Sequence, residues 1–156
     1  IEFYYDQTTD NIWLLEINPR ISQAHTDLFE KVNGISHHSV MLDLALGRKP
    51  KPLARDGHFN TAAHFMVRTK DAGRVERIPS QDAIDRLTQQ QPGTIVNIAV
   101  EPGQHLSELH GQDMYSYEVA QAYIGGRDQL DLLEKYDEVL AVLQFDIVKD
   151  EEMAVV

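Results

Sequence analysis

Cysteine is absent from all 156 residues. That excludes a disulfide framework, a thiolate nucleophile and any cysteine-built zinc site, and it suits a cytoplasmic protein. Long apolar runs are missing too. None approaches the roughly 18 residues of a membrane-spanning helix, so no membrane role is expected. Basic residues are scarce, 14 Lys and Arg against 25 Asp and Glu, for a formal net charge of −11. Binding a phosphate backbone calls for a basic face, so no nucleic-acid partner is expected. The chain shows no repeat, no low-complexity tract, no initiator methionine and no signal-peptide pattern. It opens directly in a strand pattern, which reads as a fragment cut from a longer protein. The remaining composition is ordinary, 42% apolar and 25% charged. The length suits one domain, or a small domain with an appendage, around a real core.

The stretch Leu15-Glu16-Ile17-Asn18-Pro19-Arg20 organises the N-terminal part. Residues 1–6 read as a strand, 7–11 as a polar loop and 12–18 as the antiparallel partner. Alternation sends Glu16 and Asn18 to one face and Leu15 and Ile17 to the other. Glu16 and Asn18 lie about 7 Å apart by strand rise. Their carboxylate and amide oxygens suit a hard cation such as Mg²⁺. If Asp6 faces Ile12, Glu2 stands opposite Glu16, and two facing carboxylates repel unless a cation lies between them. Pro19 ends the ladder because it has no N–H to donate. Arg20 then carries a planar fork matched to phosphate or carboxylate. Spacing leaves two readings open here: a cation site, or a strand face on which Glu2, Tyr4, Glu16 and Asn18 meet water.

Ile21 to His25 reads as a loop, and Thr26 or Asp27 suits the cap of a helix that ends at Gly34. Its expected buried stripe is Leu28, Phe29 and Val32. Ser36 suits the cap of a second helix, with Val40, Met41, Leu44 and Ala45 at helical spacing until Gly47. Lys49-Pro50-Lys51-Pro52 breaks the pattern and marks a boundary. Residues 1–52 are therefore β-β-α-α, and residues 53–156 form a C-terminal α+β subdomain. In the latter, Ala62 to Thr69, Arg74 to Ile78, Thr94 to Val100, Ser116 to Gly125 and Phe145 to Val148 read as strands. The fourth is expected to hold Tyr117, Val119, Gln121 and Tyr123 on one side. A short helix opens at Pro79-Ser80, with Ala83, Ile84 and Leu87 inward. Another spans about Asp128 to Ala141, inward through Leu132, Leu133, Tyr136 and Leu140. The fold class is α+β.

The histidines give no metal-spacing motif. His37 and His38 are adjacent, so on a helix they point about 100° apart and read as polar residues at a helix start. His58, His64, His105 and His110 are widely spread and read as surface or satisfied side chains. Asp113 with Tyr115 and Tyr117 reads as a structural turn, and Gly125-Gly126 as a strand-to-helix turn.

Glu2-Phe3, the Glu-x-Asn-x-Arg of Glu16, Asn18 and Arg20, then His25, Asn33-Gly34 and Leu46-Gly47 together resemble the C-terminal half of an ATP-grasp catalytic domain. The likeness is to the biotin-carboxylase-like carboxylate–amine ligases and covers residues 1 to about 50. Gln112-Asp113 and Tyr115-Ser116-Tyr117-Glu118 are similar to the C-terminal subdomain of the amino-acid-ligase-like branch. The resemblance favours the cation reading and implies ATP and Mg²⁺ (or Mn²⁺) as cofactors. Glu2 and Glu16 would hold one ion, and Glu16 and Asn18 a second, between nucleotide phosphates. Arg20, also a nucleotide contact, would stabilise charge on the transferring phosphoryl group. His25 would lie at the edge of the active site, shaping the loop or touching substrate.

The implied reaction joins a small-molecule carboxylate, activated as an acyl-phosphate, to an amine. Bicarbonate-using relatives carry a glutamate just before the loop histidine, where this chain has Ala24. A methyl group cannot take a proton, so a carboxylate–amine ligase is preferred. The alternatives are a biotin-carboxylase-like carboxylase and a non-catalytic ATP-grasp-derived binding or assembly module. The glycine-rich lid, phosphate-contacting lysine and adenine pocket of such enzymes are not in this sequence, so the chain alone is expected to be inactive. The C-terminal subdomain is left two roles, forming a homodimer or shaping the substrate pocket.

Overall fold

In the computed structural model, which describes residues 1–110 and 115–149, the chain begins with β1 (Glu2–Asp6), β2 (Asn11–Glu16), α1 (Gln23–Asn33) and α2 (His37–Ala45). It continues through β3 (Thr61–Thr69), β4 (Gly73–Arg77), α3 (Gln81–Gln90) and β5 (Thr94–Ile98). A single 3₁₀ turn (Leu106–Glu108) precedes β6 (Tyr117–Gly126), α4 (Gln129–Val142) and β7 (Asp146–Lys149). Among the described residues the strands form three antiparallel sheets, β1-β2, β3-β6-β5 and β4-β7. With four α-helices, the architecture is α+β. The turn after β3 does not return β4 onto β3, because β4 takes β7 as its partner.

β6 is central because it pairs on both edges and presents small residues to the helices. Ala120, Ala122 and Ile124 alternate inward and are fully buried, in one core with Ile84, Leu87, Leu132 and Val139. A bulge interrupts this alternation. Val67 faces Ala120 but Arg68 faces Glu118, so Val119 is the extra residue and enters the core. The expected row of Tyr117, Val119, Gln121 and Tyr123 is therefore split, with only the last two on the opposite sheet face. On α4 the inward stripe is Leu132, Tyr136, Val139 and, just past its end, Leu143, which follows helical spacing. Leu133 and Leu140, expected inward, face solvent. Tyr136 stacks on Phe65 with ring centroids 4.0 Å apart.

The start of α4 is tied to the end of β6 by charge. Asp128 caps the helix by accepting from the Asp131 N–H at 2.9 Å. Asp131 accepts from the Arg127 N–H at 2.9 Å and pairs with Lys135 at 3.1 Å, while Lys135 also donates to the Gly125 carbonyl at 2.8 Å. The Arg127 N–H, and then Lys135, hold the Asp131 carboxyl down at about 2. A folded-state value below the unfolded 3.8 means stability that is present above 3.8 and lost as pH falls through about 2. Asp131→Asn is therefore expected to lower the melting temperature at pH 7, with the gap to wild type closing between pH 4 and pH 2. Thermal melts across that range check it; a gap independent of pH would refute it.

α1 starts earlier than expected. Ser22, not Thr26 or Asp27, occupies the cap position, and the Thr26 N–H and hydroxyl both bond the Ser22 carbonyl. Gly34 closes the helix in the left-handed region at φ 71°, donating to the Glu30 carbonyl. The buried residues of α1 are Thr26 and Lys31 rather than Leu28, Phe29 and Val32, which are half-buried. The reason is the surface beneath: α1 packs on β3 and β6, whose face here carries His64, Gln121 and Tyr123. A polar sheet face takes the Asp27–Lys31 ion-paired side of the helix. The chain then returns against α1 through Gly57, where a Cβ would stand 2.1 Å from the Lys31 carbonyl oxygen.

The first hairpin and α2 leave apolar surface open. Phe3, Tyr4, Tyr5, Ile12, Trp13 and Leu14 are all more than half exposed. α2 has no buried residue; Val40 is half-buried, and Met41, Leu44 and Ala45 face solvent.

Candidate functional site

Pairing of β1 with β2 brings Glu2 opposite Glu16, though not by the simple register. Asp6 faces Asn11 and Phe3 faces Leu14; a bulge then leaves Leu15 without a partner and restores Glu2 to Glu16. β2 ends at Glu16, so Asn18 lies just past the strand instead of on it. It still joins the pair. The Asn18 amide donates to Glu16 Oε1 at 2.6 Å and to Glu2 Oε1 at 3.3 Å.

Two carboxylates and one amide thus converge at the open end of the hairpin. The amide's two ends are assigned from hydrogen bonding, and a half-turn about its last bond presents Oδ1 in place of the NH₂. The set then becomes all-oxygen, which is the chemistry of a Mg²⁺ site. Among the described residues no three or more His, Cys, Asp or Glu side chains group around a common point. Any ion here would be held by Glu2, Glu16 and Asn18 and complete its shell with non-protein oxygens.

Pro19 gives a tight turn in which the Arg20 N–H donates to the Asn18 carbonyl at 2.8 Å. This aims Arg20 into a cleft of about 420 Å³ lined by Glu2, Asn18, Arg20, His25, Phe29 and His37. His25 stands in the first turn of α1 instead of in a loop, beside half-buried Ala24. All five residues picked out from the sequence for the site lie together, four lining the cleft and Glu16 bonded to one of them.

His37, expected only as a polar residue at a helix start, also lines the cleft. It opens α2, half-buried, with its ring 4.1 Å from that of Phe29 and tilted by 40°. His38 is exposed and lines no part of the cleft, as the 100° step between neighbours requires. No sequence signal marks His37, because its contact with Phe29, eight residues back, is made only by the turn at Gly34 between the two helices. The remaining histidines stay away from the cleft. His64 is not satisfied, however: it stacks on Tyr123 at 4.4 Å, and among the described residues its buried Nε2 has no hydrogen-bond partner. Gln112 and Asp113 lie outside the described residues; Tyr115 is exposed, and Tyr117 packs on the core.

A search of solved structures matches the biotin carboxylase domain of Hydrogenobacter thermophilus 2-oxoglutarate carboxylase, a domain dimer bound to MgADP, ADP and bicarbonate. The TM-score is 0.61 at 18% identity, over 94% of this chain and 31% of that one. The fold of this chain is that of the matching part of a biotin carboxylase domain. A curated relative, acetyl-CoA carboxylase of Schizosaccharomyces pombe, is 27% identical over 105 residues, 60% of this chain and 4% of that protein. No protein-family profile matches the chain. The chain thus spans under a third of the solved neighbour and a small part of the curated relative. Both are carboxylases by name, and the likeness to the biotin carboxylase domain is one of fold.

Proposed function

We propose that the full-length protein is an ATP-dependent carboxylate–amine ligase and that this chain supplies one wall of its active site. The observation that carries the reading is the meeting of Glu2, Glu16 and Asn18 with Arg20 and His25 around one cleft. Residues 1–52 would be the C-terminal part of the catalytic ATP-grasp domain, and 53–156 a C-terminal subdomain. Mg²⁺, when bound by Glu2, Glu16 and Asn18, offsets phosphate charge that otherwise repels an attacking carboxylate. The carboxylate oxygen attacks the γ-phosphorus of ATP, the bond to ADP breaks, and an acyl-phosphate forms. Arg20 stabilises the charge on the transferring phosphoryl group. An amine then attacks the acyl carbon, loses a proton and releases inorganic phosphate, leaving an amide. His25 contacts the carboxylate substrate. We place the protein in the cytoplasm, and the dimer named for the solved neighbour supports self-association here.

A biotin-carboxylase-like reaction is the second reading, favoured by the two carboxylases matched. Ala24 weighs against it, because no side chain there accepts a proton from bicarbonate.

The test is Mg²⁺-dependent release of ADP and phosphate by the full-length protein across amino-acid pairs, with and without bicarbonate. Turnover that requires an amino-acid pair and falls by about 100-fold in Arg20→Ala is expected. Stimulation by bicarbonate alone would overturn the ligase reading. No turnover and no ATP binding would favour a non-catalytic module.

A further inference from the structure

We infer that His37 is a substrate-contacting, specificity-determining residue, and that the carboxylate it serves carries a second anionic group. The inference rests on the ligase reading and deepens it. His37 is 17 residues beyond Arg20, yet α1 and the turn at Gly34 return it to the same cleft. Phe29 packs against its ring at 4.1 Å, which restricts the ring where it lines the cleft. Among the described residues neither His37 nor His25 has a ring nitrogen in a hydrogen bond, and the Arg20 guanidinium has no ion-pair partner. Three nitrogen-bearing side chains thus line one space, none of them engaged by a protein acceptor among the described residues. The acidic residue that shares the cleft, Glu2, belongs to the cation set with Glu16 and Asn18 on that reading.

Donor counting gives the substrate class. Arg20 is committed to the transferring phosphoryl group and His25 to the reacting carboxylate. His37 remains for an acceptor elsewhere on the same molecule. A cleft of about 420 Å³ has room for a short chain bearing two such groups, with Phe29 and Ile1 against its carbons. A short dicarboxylate or an acidic amino acid meets these demands; alanine or glycine leaves the His37 edge unused.

The test compares aspartate and glutamate with alanine and glycine as the carboxylate partner, in ADP release by the full-length protein at saturating MgATP. Wild type should prefer the acidic pair by about tenfold or more in kcat/KM. His37→Gln should abolish the preference through KM, with kcat and the KM for MgATP within about twofold, and His38→Gln should change nothing. His37→Asn, with melting temperatures of all variants, guards against a folding defect. Calorimetric titration of aspartate into the MgADP-bound protein gives a readout independent of turnover, with binding expected in wild type and loss in both His37 variants. Amino-acid-dependent turnover with an unchanged KM in His37→Gln, or a wild-type preference for alanine, overturns this inference and leaves the ligase reading standing. Turnover on bicarbonate alone, or no aspartate binding by wild type, overturns it as well, the first by removing the ligase reading.

Discussion

Glu16→Gln is expected to lower carboxylate-dependent ADP release by the full-length protein about 100-fold or more. The amide keeps the shape of the side chain and one oxygen, but removes a full negative charge from the set formed with Glu2 and Asn18. Metal-borne charge stabilisation in phosphoryl transfer contributes several kcal/mol, and each 1.4 kcal/mol or so is a factor of ten in rate. The same substitution separates binding from folding. Glu2 and Glu16 face each other across β1 and β2, and like charges in that position cost up to about 1 kcal/mol. Without divalent metal the variant should melt at the wild-type temperature or slightly above it. With Mg²⁺ and ADP, wild type should be stabilised and Glu16→Gln should not. Melting curves in the two conditions, beside steady-state rates, check both parts; an unimpaired rate would remove Glu16 from the metal set.

Ile124→Ala should cost about 2–5 kcal/mol of stability, the range for truncating a well-packed aliphatic side chain. Ile124 is fully buried on β6, paired to Ala63 on one edge and Thr94 on the other, so backbone on both sides prevents collapse into the cavity. That is a large fraction of the about 5–15 kcal/mol by which a domain is stable. Denaturant unfolding monitored on this region should show the midpoint fall with an unchanged slope. Met66, on the outer face of β3 and 53% exposed, provides the contrast: Met66→Ala should stay within about 0.5 kcal/mol. A small effect at Ile124 would mean that the packing of β6 against the helices is looser than described.

The two regions differ in how much of this could be read in advance. Ser36, Ser80 and Asp128 cap their helices as their residue types suggest, because a cap is a contact between residues three apart. Gly34 ends α1 for an equally local reason, a backbone conformation that favours glycine. Strand extents are close for the same cause. What misled was facing. Leu133 and Leu140 are apolar at nearly helical spacing, and only the position of β6 and Phe65 beneath α4 selects the neighbouring stripe. The bulge at Val119 reverses one half of β6, and no residue type in Tyr117-Glu118-Val119-Ala120 announces it.

The candidate site divides in the same way. Glu16, Asn18 and Arg20 lie within five residues, so alternation, Pro19 and the charge pattern were enough to set them out. Glu2 was reachable through one hairpin, and even there the bulge at Leu15 compensates for a register shifted by one residue. His25 and His37 are another matter. Their approach depends on the length of α1, on the turn at Gly34, and on which side of α1 rests on β3 and β6. The chain's order of residues carries the local chemistry of the hairpin. The cleft arises because a polar sheet face holds the Asp27–Lys31 side of α1 and so turns Phe29, with His37 against it, toward Arg20.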